Sequence, residues 1–383
     1  MLIIFFITVI FAVPVLTKLE VPKEISVSEN RALAKPPVLT VENVLDGKYF
    51  SGWETYLSDH IWLRDGWLFA DTVFELSEGH SVVRDVVITP TALLPYVASD
   101  APDEYADASA TAMAAKYKAL SDAALQNGGV FLYINVPEQC SMLRDLYPAG
   151  LYTGELRYDS QNRAFESAMV TDGVNYLDMR PIFEATGNAA EFYSQTDHHY
   201  NLKGAYLTYQ TLCDSLSSLG VGVTAKTDAV LNTLPNTFKG SRGRKIYNLT
   251  SFNDKLMYIT WDSPIAFTRS DNGNTGVAQV YVLPSSDSED VAYNMYMGGD
   301  IAETVIETGR PNLPDALIFG DSFTNALETV LYTSFDTTVS LDFRYNTKQS
   351  IYDYIKQYKP DVVICLRDDT ATLSTDGNGN LPG

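Results

Sequence analysis

The chain has 383 residues, and 27 basic against 48 acidic side chains leave a formal net charge of −21 at neutral pH. With 45% hydrophobic and 20% charged residues it can bury a large core, which excludes a mainly disordered chain, a coiled coil, a multi-span membrane protein and a disulfide-stapled mini-domain. The acidic balance argues against nucleic acid as a partner, because a phosphate backbone needs a basic surface. Cys140, Cys213 and Cys365 are far apart and odd in number, so they read as small buried hydrophobes rather than a disulfide framework or metal pair.

Residues 2–16 (LIIFFITVIFAVPVL) carry no charge. A spanning helix needs about 20 apolar residues and a signal-peptide core about 7–15. Neither a basic n-region nor an A-x-A cleavage site accompanies the run. Residues 1–17 are therefore expected to be an uncleaved membrane anchor or signal segment, with the remainder outside the cytoplasm. A start upstream of Met1 would account for the missing basic residues, and a buried terminal element is the alternative. Residues 18–50 contain prolines and read as an irregular linker.

Beyond it, Trp53, Tyr56, Leu57 and Ile61 recur at helical spacing and predict an amphipathic helix. An Ala-rich helix is expected over 106–126, ended by Gly128-Gly129. The uninterrupted apolar run 129–137 has the character of a strand buried on both faces of a parallel sheet. A helix near 156–170, a strand at 174–179 and a helical stripe from Leu202 to Leu216 follow. Residues 225–310, rich in Asn, Gly and Ser, read as a β-hairpin insertion. Strand and helix then alternate at 316–319, 322–332, 337–343, 349–358 and 361–367, and the tail 376–383 reads as a frayed end. Such alternation implies a doubly wound, mostly parallel α/β sheet with helices on both faces, filling 51–383 apart from the insertion.

Two stretches carry residues suited to chemistry. In ALIFGDSFTNAL (316–327) an apolar strand runs into Gly320-Asp321-Ser322 and then into a helix. A serine at a strand-to-helix turn presents its hydroxyl at the sheet edge beside backbone N–H groups, as an acyl-transfer nucleophile needs. Helix capping is the other role open to Ser322. In YSQTDHHYNLKGAY (193–206), two of the four histidines follow an aspartate, and Asn201 can cap the next helix. In a semi-extended segment, residues i and i+2 point the same way. Asp197 could then orient His199 while the other ring nitrogen of His199 reaches a nucleophile, with His198 facing away. The same alternation argues against Asp197, His198 and His199 sharing one metal ion, so neither a metal nor a cofactor is expected. All four histidines precede Ser322, so the order must be Asp–His–Ser.

With that order, T-D-H-H-Y followed by G-D-S-F resembles the DHHW protein family, and more distantly the SGNH-like domains of AlgJ/AlgX-type alginate O-acetyltransferases. The opening segment Ser28-Glu29-Asn30-Arg31, with Asp59-His60 and Arg64, is similar to that group's as well. The resemblance implies an SGNH-like fold and a Ser322–His199–Asp197 triad that moves or removes acetyl groups on exported polysaccharide, with acetyl supplied through a membrane partner. Tyr200 stands where the family name has Trp, and as an aromatic it could still pack or stack against substrate. For the oxyanion, the backbone N–H of Ser322 is one donor; Gly299 in MYMGGD offers a second, with a plain turn as its alternative. Arg344 could meet an anionic sugar or fix the site, with a surface ion pair as the alternative. The competing class is a cell-envelope glycan-binding or scaffold protein with a vestigial triad.

Overall fold

The computed structural model describes every residue except Asn30, 98–100, Thr153, Val277, 376–380 and 382–383, and the side chains of Leu2 and Phe5. Most of the tail read as frayed therefore lies outside the described residues, although Leu381 is buried in the core. The chain divides into two compact units, Met1–Ile88 with Ser241–Ser251, and Thr89–Gly240 with Phe252–Gly383. This division falls well beyond residue 50, where the sequence ends the linker.

The first unit contains helices α1 (Leu2–Leu19), α2 (Lys48–His60) and α3 (Arg64–Ser77). Among the described residues no helix is long and apolar enough to cross a membrane. The apolar stretch of α1, at 1.5 Å per residue, reaches about 22 Å against a hydrocarbon core of about 30 Å. Within the opening segment, Arg31 grips the buried Asp59 through two nitrogens at 2.5 and 2.9 Å, and Arg64 grips Glu29 at 2.8 and 3.0 Å. The Arg31 guanidinium brings the Asp59 carboxyl down to about 2. The charged residues of that segment thus hold the unit together.

The second unit is built on an eight-stranded sheet. Its strands are β1 (Val130–Val136), β2 (Tyr176–Asp178), β3 (Thr268–Asp271), β4 (Asn274–Thr275), β5 (Glu303–Glu307), β6 (Ala316–Gly320), β7 (Thr337–Leu341) and β8 (Val362–Asp368). In spatial order they run β4-β3-β5-β7-β6-β8-β1-β2. From β7 to β2 the neighbours are parallel; β4, β3 and β5 add an antiparallel wing. Three strands of the segment read as a hairpin insertion, β3, β4 and β5, thus belong to the main sheet, and β5 pairs with β7 along its whole length. The helices are α4 (Ala106–Gln126), α5 (Arg157–Thr171), α6 (Leu202–Ser218), α7 (Thr324–Leu331) and α8 (Ile351–Tyr358).

Burial explains the architecture. Phe131, Tyr133, Leu317, Phe319, Val363 and Cys365 point to one face and meet the apolar stripes of α4, α5 and α8. The alternate residues Leu132, Ile134, Ile318, Ile364 and Leu366 are equally buried, so both faces of the central strands are covered. Each such side chain contributes about 1.5–3 kcal/mol relative to exposure. All three cysteines are buried and free, as small hydrophobes would be.

A candidate acyl-transfer site at the end of β6

Strand β6 is buried along its length and delivers the chain to the carboxyl edge of the sheet. At its last residue, Gly320, a Cβ would lie 1.8 Å from the carbonyl oxygen of Leu366 on β8, so only glycine fits. The next residue locks the turn: Asp321 accepts the N–H of Phe323 at 2.9 Å and that of Asp368 at 3.1 Å. Helix α7 begins at Thr324 with Phe323 in the capping position and no side-chain cap. Ser322 is therefore not the cap, and its hydroxyl is directed elsewhere.

It meets His199. The Ser322 Oγ lies 2.8 Å from His199 Nε2, and His199 Nδ1 lies 2.6 Å from Asp197 Oδ1. A buried carboxylate can only accept, so the ring proton sits on Nδ1 and Nε2 accepts the serine hydroxyl. Asp197 is 1% exposed and His199 4%, while Ser322 stays partly accessible. Asp197 Oδ1 also accepts the His199 backbone N–H at 3.2 Å, which fixes the carboxylate against its own loop.

The loop that carries this pair is held by side chains rather than by a sheet. Thr196 donates both its N–H (2.9 Å) and its hydroxyl (3.0 Å) to Asp254, whose carboxyl burial holds above its usual range. Gly240 passes so close that a Cβ there would sit 2.3 Å from the Thr196 carbonyl oxygen. Asn201 caps α6 as its position suggests, accepting from Lys203 at 2.9 Å and Gly204 at 3.3 Å. The Tyr293 ring lies flat on the His199 imidazole, 3.5 Å between centroids and 2° between planes, while its hydroxyl donates to the Ser322 carbonyl at 3.1 Å. Tyr293 and Asp254 are absent from the sequence-based set, since neither stands in a motif and Tyr293 is one of 24 tyrosines.

Five expectations need correction. His198 does not face away: the chain bends through 195–199, and the two imidazoles lie 3.7 Å apart between centroids, tilted by 38°. For the same reason Asp197, His198 and His199 each bring one ligand atom within 4.8 Å of the others, so alternation does not keep them from one ion. What opposes an ion is that both ring nitrogens of His199 are already engaged, by Asp197 and Ser322. Tyr200 is not on a substrate surface. It is fully buried, stacks on Phe323 at 5.3 Å and donates its hydroxyl to the Phe323 carbonyl at 2.9 Å, bracing the Ser322 turn from beneath.

Gly299 donates its N–H to the Tyr296 carbonyl at 3.0 Å, in a turn where its φ is +96°, so it is no oxyanion donor. Arg344 is bound by Asp342 at 2.6 Å and by Asp300 at 3.2 Å. Two carboxylates already neutralise it, so it forms an ion-pair cluster and not an anion receptor. The Ser322 N–H, by contrast, has no hydrogen-bond acceptor among the described residues.

The sheet, its order and the serine at the end of β6 define an SGNH hydrolase-like α/β fold. A family profile described as "SGNH hydrolase-like domain, acetyltransferase AlgX" matches residues 96–244, a stretch that includes Asp197–His199 and stops short of Ser322. Among solved structures, Bacillus cereus PatB1 with a sulfonyl adduct is 21% identical, with a TM-score of 0.65 over 78% of this chain and 98% of that one. A DHHW family protein from Eubacterium siraeum DSM 15702 is also 21% identical, with a TM-score of 0.57 over 77% of this chain and 93% of that one. No curated protein matches the chain. At these identities the likeness is one of fold, and at that level the resemblance to the DHHW and AlgX-type group holds.

Proposed function

We propose that the protein is an extracytoplasmic O-acyltransferase or O-acylesterase, acting on acetyl groups of a cell-surface or exported saccharide through Ser322, His199 and Asp197. The observation that carries this reading is the continuous chain from the Ser322 hydroxyl through the His199 ring to Asp197, at 2.8 and 2.6 Å. The acetyltransferase named in the matching family profile favours acetyl as the acyl group, and a saccharide as its bearer is what the DHHW- and AlgX-type resemblance implies. The apolar helix at the start of the chain supports a place at the cell envelope.

In this reading Ser322 Oγ attacks the ester carbonyl and its proton passes to His199 Nε2. The tetrahedral oxyanion is met by the Ser322 N–H. Collapse breaks the ester bond, and the departing alcohol takes the proton back from the imidazolium. Water or a sugar hydroxyl then repeats the sequence on the acyl-serine, giving hydrolysis or transfer. Asp197 holds the proton on Nδ1 throughout, and the Tyr293 face lies against the ring as it becomes cationic.

A sulfonyl reagent tests this directly, since one similar structure was solved with a sulfonyl adduct. Phenylmethanesulfonyl fluoride should add a single group to the wild-type chain and none to Ser322→Ala, read by intact mass. Absence of labelling together with absence of acetylesterase activity would leave the glycan-binding or scaffold reading in its place.

A further inference from the structure

The first compact unit carries apolar surface that the proposed reaction does not use. Helix α1 has no polar face: residues 2–16 hold no charge, and Ile4, Phe6, Val9, Ile10 and Phe11, spread around the helix, are all exposed. A helix that is apolar all round is suited to a large core or to hydrocarbon. Its foot is tied to the turn between α2 and α3. There Thr17 Oγ1 accepts the Trp62 N–H at 2.9 Å, and Glu20 accepts the Leu63 N–H at 3.3 Å.

Between that foot and α2 lies a cavity of about 730 Å3, a volume typical of ligand clefts. Val13, Pro14, Ile25, Leu33, Trp53 and Leu57 give it apolar walls. Most charges around it pair within the unit: Asp59 with Arg31, Arg64 with Glu29 at 2.8 Å, and Lys23 with Asp65 at 2.5 Å. Lys18 also lines the cavity; it is exposed and has no ion-pair partner among the described residues. Three of the four tryptophans, Trp53, Trp62 and Trp67, fall in this short stretch, with Tyr49 and Tyr56 on α2. Trp67 is 58% exposed, and Phe69 and Phe74 on α3 are exposed beside it in sequence. Trp and Tyr concentrate at the boundary between bilayer and water, where the ring sits among headgroups.

We propose that this cavity is a lipid site, which takes one acyl chain of a phospholipid from the bilayer that α1 enters and sets the phosphate at the Lys18 ammonium. The inference is independent of the chemistry assigned to Ser322. Apolar walls offer water few hydrogen-bond partners, whereas an acyl chain needs none. A net charge of −21 on each copy opposes a second chain as the cover, and it opposes an anionic bilayer too, so the lipid is zwitterionic.

The test uses the full chain with Trp62, Trp67 and Trp261 replaced by Phe, which leaves Trp53 in the cavity wall as the sole indole. The protein is reconstituted in phosphatidylcholine vesicles and floated in a density gradient. Exchanging the lipid for its acyl-dibrominated form should quench Trp53, since bromine quenches an indole that it touches. Leu57→Glu sets a carboxylate in the same wall and should restore the emission while the protein still floats. Equal quenching with and without Leu57→Glu, or no quenching in protein that floats, overturns the acyl-chain site and leaves α1 as the membrane contact. Protein that does not float overturns the bilayer as the cover, and a dimer in that fraction would put a second copy there. If the substituted chains fail to fold, native mass of the unsubstituted protein released from the vesicles decides. One retained phosphatidylcholine supports the site; none, or a free fatty acid in its place, overturns it.

Discussion

The two halves of the candidate site are held in different ways. On the serine side, β6 lies between parallel neighbours, Gly320 allows the close pass under Leu366, and Asp321 ties the turn to Phe323 and Asp368. The hydroxyls of Tyr293 and Tyr200 then pin two consecutive carbonyls, those of Ser322 and Phe323. On the histidine side no strand of the large sheet supports the loop, which is closed by an isolated bridge between Tyr193 and Tyr200. Its geometry comes from Asp254, Gly240 and the flat face of Tyr293, all distant in sequence. A nucleophile needs one fixed position, and a backbone turn gives that. A base that must gain and lose a proton is better held by ring stacking and one orienting carboxylate, which fix the plane without blocking Nε2.

Removing the reacting atoms breaks both halves at once. Ser322→Ala and His199→Ala should each lower turnover on an acetyl ester on the order of 10⁴-fold or more, and Asp197→Asn should approach the same loss because it permits the wrong tautomer. Steady-state kinetics with unchanged thermal midpoints would check it. Near-normal activity in His199→Ala would remove the base from the scheme.

The serine half should be the stiffer one. Asp321→Ala deletes two hydrogen bonds from a carboxylate to backbone N–H groups, a loss of about 2–3 kcal/mol in stability, measured by denaturant unfolding. Because the turn carries Ser322, the proposed nucleophile, turnover should fall by roughly 10²-fold in the same protein. On the histidine half, Tyr293→Leu should cost about tenfold in turnover by freeing the imidazole plane, and Tyr293→Phe, which keeps the ring, should cost less. If the two Tyr293 variants behave alike, the hydroxyl contact to Ser322 matters and the stacking does not.

This asymmetry also governs what the sequence made legible. The apolar run 316–319 and the helix-prone stretch after Ser322 announce a strand–turn–helix, because that half is specified by local pattern. So are α4, β1, α5 and α6, whose boundaries follow their stripes closely. Asp197 and His199 were legible as chemistry, yet the assumed alternation through 197–200 failed. Bends replace extension there because Asp254 and Gly240 shape the loop from another part of the chain. Tyr293 carries no local signal, since its role exists only once the β3–β5 wing has folded. Tyr200 was legible as an aromatic, but its direction depended on the same unseen bends.

A pH effect tests the sheet edge that the two halves share. Asp369 is buried and accepts the Glu138 N–H at 2.8 Å, with Arg180 at 2.8 Å on its other oxygen. Burial outweighs the Arg180 charge and pushes its carboxyl up to about 7. Since the folded value lies above the unfolded one, the folded chain holds the extra proton between them. Stability is therefore greatest below the unfolded carboxylate range and declines as pH rises toward 7, by up to about 1.4 kcal/mol per pH unit from this group. Unfolding midpoints at pH 5 and pH 7 should show the decline, and Asp369→Asn should flatten it.

The smallest effect is the most discriminating between bracing and binding. Tyr200 was expected on a substrate surface, and the fold instead puts its hydroxyl on the Phe323 carbonyl at 2.9 Å, beneath the serine turn. Burial holds the phenol well above its ordinary range, so it remains a donor at any working pH. Tyr200→Phe keeps the stacked ring and deletes one buried hydrogen bond, a cost of about 1 kcal/mol. If Tyr200 braces the turn, the loss should appear in the unfolding midpoint and as a modest fall in kcat, with KM for the acceptor unchanged. A rise in KM at constant kcat would mean that the ring meets substrate after all, and that the turn holding Ser322 yields to let it do so.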